Sequence, residues 1–171
     1  MMNAILMLAA LSPDAAASLP RPAIGPELRA TNCAVADERK RLLREGEAAL
    51  EAAKPLMEDA TRRMEARAHA VGDQLIARGV WTETDRARFS LAMLGRPEFK
   101  AHLAEVTSIL DAMMRSVDTL AAAPKDEALS CRVMLDMLGQ VDRSAAAADD
   151  GWRIIEHYYA EEAQRLGVSL N

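Results

Sequence analysis

At 171 residues the chain is the size of one ordinary domain, and it needs neither a metal nor an array of disulfides to build a core. Half of its residues are hydrophobic but only 4% are aromatic, and alanine, leucine and methionine stand where a β-protein would carry valine, isoleucine, threonine and tyrosine, which excludes a sheet protein and predicts an all-α fold. Twenty-six acidic against 21 basic residues give a net charge of -5 with no electrostatic footprint for a phosphate backbone, so nucleic acid is not an expected partner.

The chain opens with an apolar run, Ala4-Ile5-Leu6-Met7-Leu8-Ala9-Ala10-Leu11, followed by Ser12-Pro13 and the small residues Ala15-Ala16-Ala17-Ser18. A short apolar core before a small-x-small pattern predicts a secretory signal over 1–17, cleaved after Ala17, although no Lys or Arg precedes the run. The run falls short of the roughly 20 residues that a bilayer needs, so no stable transmembrane anchor is expected. The expected location is periplasmic or secreted, with a cytoplasmic one as the alternative if the N-terminus is retained.

Residues 18–34, with prolines at 20, 22 and 26 and Gly25, read as an extended lead-in. Within it lies Cys33, about 100 residues from Cys131 and without the close spacing of metal or redox motifs. A single disulfide between Cys33 and Cys131 is expected, the alternative being two unrelated buried thiols.

From Val35 the apolar residues Ala36, Leu43, Leu50, Met57, Met64 and Val71 recur at sevenfold spacing. The stripe keeps its phase through Pro55, and nothing around it leaves room for a reversing loop, so the spacing predicts one kinked helix of about 44 residues, roughly 65 Å long, ending at Gly79. Val35, Leu42, Ala49 and Leu56 widen this stripe beyond what two later arms would cover, and they form the expected interaction surface.

Thr82, with Glu83 and Asp85 in the first turn, predicts the start of a second arm that runs to Gly95 and restarts at Pro97. There Phe99, Leu103, Val106, Leu110, Met113, Val117 and Leu120 alternate spacings of four and three, the cleanest heptad in the chain. Pro124 is placed at the first helical position of a third arm, which carries Cys131, Met134, Leu138, Val141 and Ala145, breaks at Asp149-Asp150-Gly151, and resumes through Trp152, Ile155, Tyr159, Ala163 and Leu166 as far as Gly167.

The fold expected is therefore an elongated, antiparallel, up-down-up bundle of three helical arms over 35–167, each kinked or broken at one common height, with a tail at 168–171; the alternative is a compact bundle of four to six helices.

Motifs of catalysis are missing: no Gly-rich phosphate loop, no Gly-x-Ser-x-Gly elbow and no Cys-x-x-Cys-His haem attachment occurs. No catalytic, cofactor-binding or metal-ligating residue is therefore assigned, and an enzyme is not expected. The i,i+4 pairs Glu65/His69 and Glu98/His102 read as surface pairs, and a site shared by His69 and His157 is a remote option. Met57, Met64, Met93, Met113, Met134 and Met137 follow the core spacing, and thioethers also suit Cu(I) or varied apolar partners. The segment Trp81-Thr82-Glu83-Thr84-Asp85-Arg86 is similar to the Leu-Thr-x-x-Gln turn of small periplasmic helical chaperones and metal-stress sensors, over six residues and departing at both Leu and Gln.

The function expected from the residues is that of an exported helical-bundle interaction or structural protein, binding a protein partner or a second copy of itself through helix faces. A periplasmic metal-binding or chaperone-like stress protein using methionine and histidine is the alternative.

Overall fold

The computed structural model describes residue 19 and residues 21–170, and every described element is helical. The signal peptide expected over 1–17, its cleavage point after Ala17 and the last residue of the tail, Asn171, lie outside the described residues. In chain order the helices are α1 (Pro26–Arg29), α2 (Ala36–Ala77), α3 (Glu83–Leu94), α4 (Pro97–Ala122) and α5 (Glu127–Leu166).

Helix α2 is continuous over 42 residues, about 63 Å, with Pro55 inside it. Proline removes one hydrogen bond to the carbonyl of Glu51, but both residues are exposed, so water can satisfy the freed oxygen and the buried side of the helix is untouched. Gly79, at φ +71°, takes the left-handed conformation that stops the helix and turns the amides of Val80 and Trp81 onto the carbonyl of Leu75. A reciprocal capping box then starts α3: the Asp85 amide donates to Thr82 Oγ1, and the Thr82 amide donates to the Asp85 carboxylate.

Helix α5 lies between α2 and α4 and packs on both. Its contacts with α2 climb together, from Gly46 beside Met134, through Arg67 with Glu156, to Tyr159 donating to the Ala68 carbonyl, so α2 and α5 run in the same direction. Its contacts with α4 run oppositely, from Glu98 with Tyr158 down to Ser116 with Asp136. One core cluster, at the lower end, gathers Ile24, Leu28, Leu42, Ala53, Cys131, Leu138 and Val141. The other, at the upper end, gathers Val71, Leu75, Trp81 and Tyr159, with Phe89 completing an aromatic trio at 5.0 to 6.3 Å between ring centroids.

Several expectations are corrected. The third arm does not break at Asp149-Gly151: α5 runs through it, and buried Gly151 serves close packing, since a Cβ there would stand 2.8 Å from His102 Nε2. Pro124 precedes α5 instead of opening it, and Asp126 is the N-cap, accepting from the Leu129 amide at 2.9 Å. The interruptions do not share one height. Arg96, at the α3–α4 break, lies over the Tyr158 ring beside the level of Ala68, whereas Pro55 is about 13 residues, roughly 20 Å, lower on α2.

The lead-in is not simply extended. It contains the short α1, buries Ile24 and Leu28 in the lower core, and is tied along α5 by Arg21 to Asp149 and by a bidentate Arg29–Asp142 pair at 2.7 and 2.9 Å. At its end the Cys33 and Cys131 sulfurs stand at disulfide-bonding distance, with Cα atoms 5.7 Å apart.

Candidate interaction surface

Of the four residues expected to form an interaction surface along α2, the structure leaves one uncovered. Leu42 is fully buried, Ala49 and Leu56 are half-buried, and Val35 alone is exposed, at 42%. The lead-in covers the row: Ile24 and Leu28 fold into the same cluster as Leu42, with Ala49 packed against it. Proline-rich residues 18–34 had supplied no apolar periodicity from which that cover could be read.

Leu91 and Leu94 of α3 are exposed too, but the longest exposed apolar row among the described residues is on α4. Leu103, Leu110, Met114 and Val117 are 44%, 56%, 66% and 54% exposed, and Thr107 and Ala121 between and beyond them are exposed as well. Together they follow spacings of four, three, four, three and four, a straight seam of the kind one helix offers another. Val106, Met113 and Leu120 flank it on one side, half-buried, and Asp111, Asp118 and Arg115 are exposed towards the other.

What turns this face outward is the chemistry of the α4–α5 contact. Ile109 and Ser116, seven residues apart, are the residues α4 buries. Around Ser116 the contact is polar: its hydroxyl donates to Asp136 at 3.0 Å, and Arg143 donates to Glu105 at 2.7 Å and to Gln140 at 3.0 Å. Such a network needs α4 rolled so that Ser116 meets α5, and the heptad expected as core is thereby left half outside. Each of its large side chains would contribute roughly 1.5 to 3 kcal/mol if fully covered, more than the ~0 to 1 kcal/mol of an exposed ion pair. An apolar row left out at that cost is the candidate docking face. The residues missed by sequence reasoning are Thr107, Met114 and Ala121; their spacing is legible, but the roll of the helix that exposes them is not.

Beside this face, between α2, α4 and α5, lies an apolar groove of ≈340 Å³ lined by Leu56, Met57, Met64, Leu103, Val106 and Leu110 among others, and Leu19 and Pro22 of the lead-in line it too. An open cleft of ≈610 Å³ between α4 and α5 is lined by Glu98, His102, Glu105, Asp150 and His157. Among the described residues no three His, Cys, Asp or Glu side chains gather as a metal site. Glu98 is not engaged with His102: it accepts from the Tyr158 hydroxyl at 2.8 Å, and its carboxyl is held below the usual range first by its own backbone amide and then by that hydroxyl. His157 instead meets Glu161 at 3.2 Å, and His69 is exposed. Of the core-spaced methionines, Met57, Met64, Met93, Met113, Met134 and Met137 are all half-buried.

Among the described residues no helix is long and apolar enough to cross a membrane. No protein-family model, no curated protein and no solved structure matches the chain.

Proposed function

We propose that the chain is an exported helical-bundle protein whose work is binding, and that it docks an apolar helix face of a partner on the outer row of α4. The observation that carries this reading is the exposed seam Leu103, Thr107, Leu110, Met114, Val117 and Ala121, because a single-helix stripe at heptad spacing is complementary to another helix. Export is supported by the apolar run at Ala4–Leu11 and by the pairing of Cys33 with Cys131, a bond that persists in oxidising compartments. No catalytic role is assigned to any residue.

A photo-reactive amino acid placed at Leu110 or Val117 in the native host tests the reading. Discrete adducts are expected from both positions and none from exposed Glu58 on α2; adducts equally frequent from all three, or from none, would remove it. A second reading, in which the protein holds unfolded clients, draws on Met114 in the same face and on the methionine-lined groove beside it. It predicts adducts to many proteins instead of one.

A further inference from the structure

We infer that the groove between α2, α4 and α5 and the cleft beside it form one binding site for a small amphiphile, with a single alkyl chain in the groove and a cationic head in the cleft. The inference goes beyond the docking reading of α4 and does not depend on it.

The two cavities meet at one side chain. His102 and Ala147 line both the groove of ≈340 Å³ and the cleft of ≈610 Å³, so the apolar space and the polar one are contiguous. A side chain at Gly151 would crowd that junction, because its Cβ would stand 2.8 Å from His102 Nε2 and 3.5 Å from the Met64 sulfur.

The groove suits an alkyl chain. Helix α5 brings Ala145 and Ala148 to it and α2 brings Ala60, so small side chains stand where larger ones would close the space between the helices. Most of the remaining wall is aliphatic or thioether, and methionines such as Met57 and Met64 adapt to a flexible ligand. The Thr61 hydroxyl already donates to the Met57 carbonyl at 3.3 Å, so water finds few partners in the groove, whereas methylenes need none.

The cleft decides the charge of the head. Three carboxylates line it, those of Glu98, Glu105 and Asp150, against the one guanidinium of Arg153. Asp150 is paired with Arg153, and Glu105 with Arg143, which leaves Glu98 as the lining carboxylate without an ion pair among the described residues. The Tyr158 hydroxyl donates to Glu98 at 2.8 Å and fixes it at the cleft wall, while Arg96 is taken up by Glu161. An ammonium would meet an uncompensated carboxylate there, and an anionic head would meet repulsion. From Glu98 to Leu110, α4 runs 12 residues, about 18 Å, a span that a long-chain primary amine can follow past His102.

Isothermal titration calorimetry of the full chain with dodecylamine, below its micelle concentration, tests the inference. Saturable binding is expected with a dissociation constant of order 100 µM, about tenfold tighter than dodecanoate and about 100-fold tighter than hexylamine. Glu98→Gln, whose amide oxygen can still accept from Tyr158, should weaken dodecylamine about tenfold and leave dodecanoate no weaker. Ala145→Phe should fill the groove and weaken dodecylamine about tenfold as well. Should that variant fail to fold, Glu98→Gln and the two chain lengths still decide. Dodecanoate bound as tightly as dodecylamine, no gain from hexylamine to dodecylamine, binding that does not saturate, or an affinity indifferent to Glu98→Gln overturns the site.

Discussion

Gly151 on α5 lies against the His102 ring of α4, so close that a Cβ at that position would stand 2.8 Å from Nε2 and 2.9 Å from Cε1. The Met64 sulfur lies 3.5 Å from the same Cβ, so the three arms meet at one glycine.

Gly151→Ala and Gly139→Ala should therefore move stability in opposite directions. Both lie inside α5, where alanine is favoured over glycine by roughly 1 kcal/mol. At Gly139 nothing lies within 4 Å, and the substitution should raise the melting temperature by a few degrees. At Gly151 the imidazole must move, and a net loss of about 1 to 2 kcal/mol is expected. Thermal melts followed by circular dichroism check the pair; a gain at both positions would mean that the His102 ring swings into the open cleft without cost.

Pro55→Ala should stabilise the protein by roughly 1 to 3 kcal/mol, because it restores a hydrogen bond to Glu51 in a helix that already runs through the position. Chemical denaturation reads the gain directly. A loss would show that proline's local geometry at this position is needed to seat Ala53 and Ala60, both buried, against the rest of the bundle.

Reducing the Cys33–Cys131 pair should cost stability through the unfolded chain, whose loop of 98 residues it closes. The chain-entropy relation puts this at about 4.7 kcal/mol. The Arg29–Asp142 and Arg21–Asp149 pairs remain to hold the lead-in, so the fold should survive with a lower denaturation midpoint and little change in helicity. No midpoint shift on reduction would argue against the bond.

Acid should act first on the upper end. Asp85 is held below its ordinary value of 3.8 by the Thr82 hydroxyl and then the Thr82 amide, and Glu162 below 4.5 by Arg165 and then by Trp81 Nε1–H. A lowered folded-state pKa contributes stability above the unfolded value, and that contribution is lost as pH falls through the folded one. Melting temperature should therefore fall below about pH 4.5, and less steeply in Asp85→Asn and Glu162→Gln, which are less stable at neutral pH. Equal slopes in wild type and variants would remove both carboxyls from the acid response.

The helical class was legible in composition and in the sevenfold phase of the α2 stripe, although the face that α2 buries is centred beside that row, on Leu42, Gly46, Ala53 and Ala60, with Leu43, Leu50, Met57 and Met64 half-buried. Gly79 and Thr82 were legible as stop and start because their chemistry is local. Gly151 was misread for the converse reason: a glycine that ends a helix and a glycine that admits a neighbouring side chain are the same letter, and only the position of His102 separates them. The cover of Leu42 by Ile24 and Leu28 depends on contacts between segments about 15 residues apart, with no shared period. The candidate site itself was half legible, since Leu103, Leu110 and Val117 were recognised as a seam but assigned to the core.

That last reversal yields the sharpest mutational contrast. Ile109 and Leu110 are adjacent on α4, yet Ile109 is 2% exposed and Leu110 is 56% exposed. Truncating Ile109 to alanine removes packing against α5 and should cost about 2 to 4 kcal/mol, whereas Leu110→Ala should stay within about 0.5 kcal/mol. Had α4 been rolled so that its heptad formed the core, the two costs would be exchanged. Denaturation below micromolar concentration isolates the monomer, where Leu110 has no partner to lose. If Leu110→Ala proves as costly as Ile109→Ala under those conditions, the row is covered within one chain, and the docking face falls.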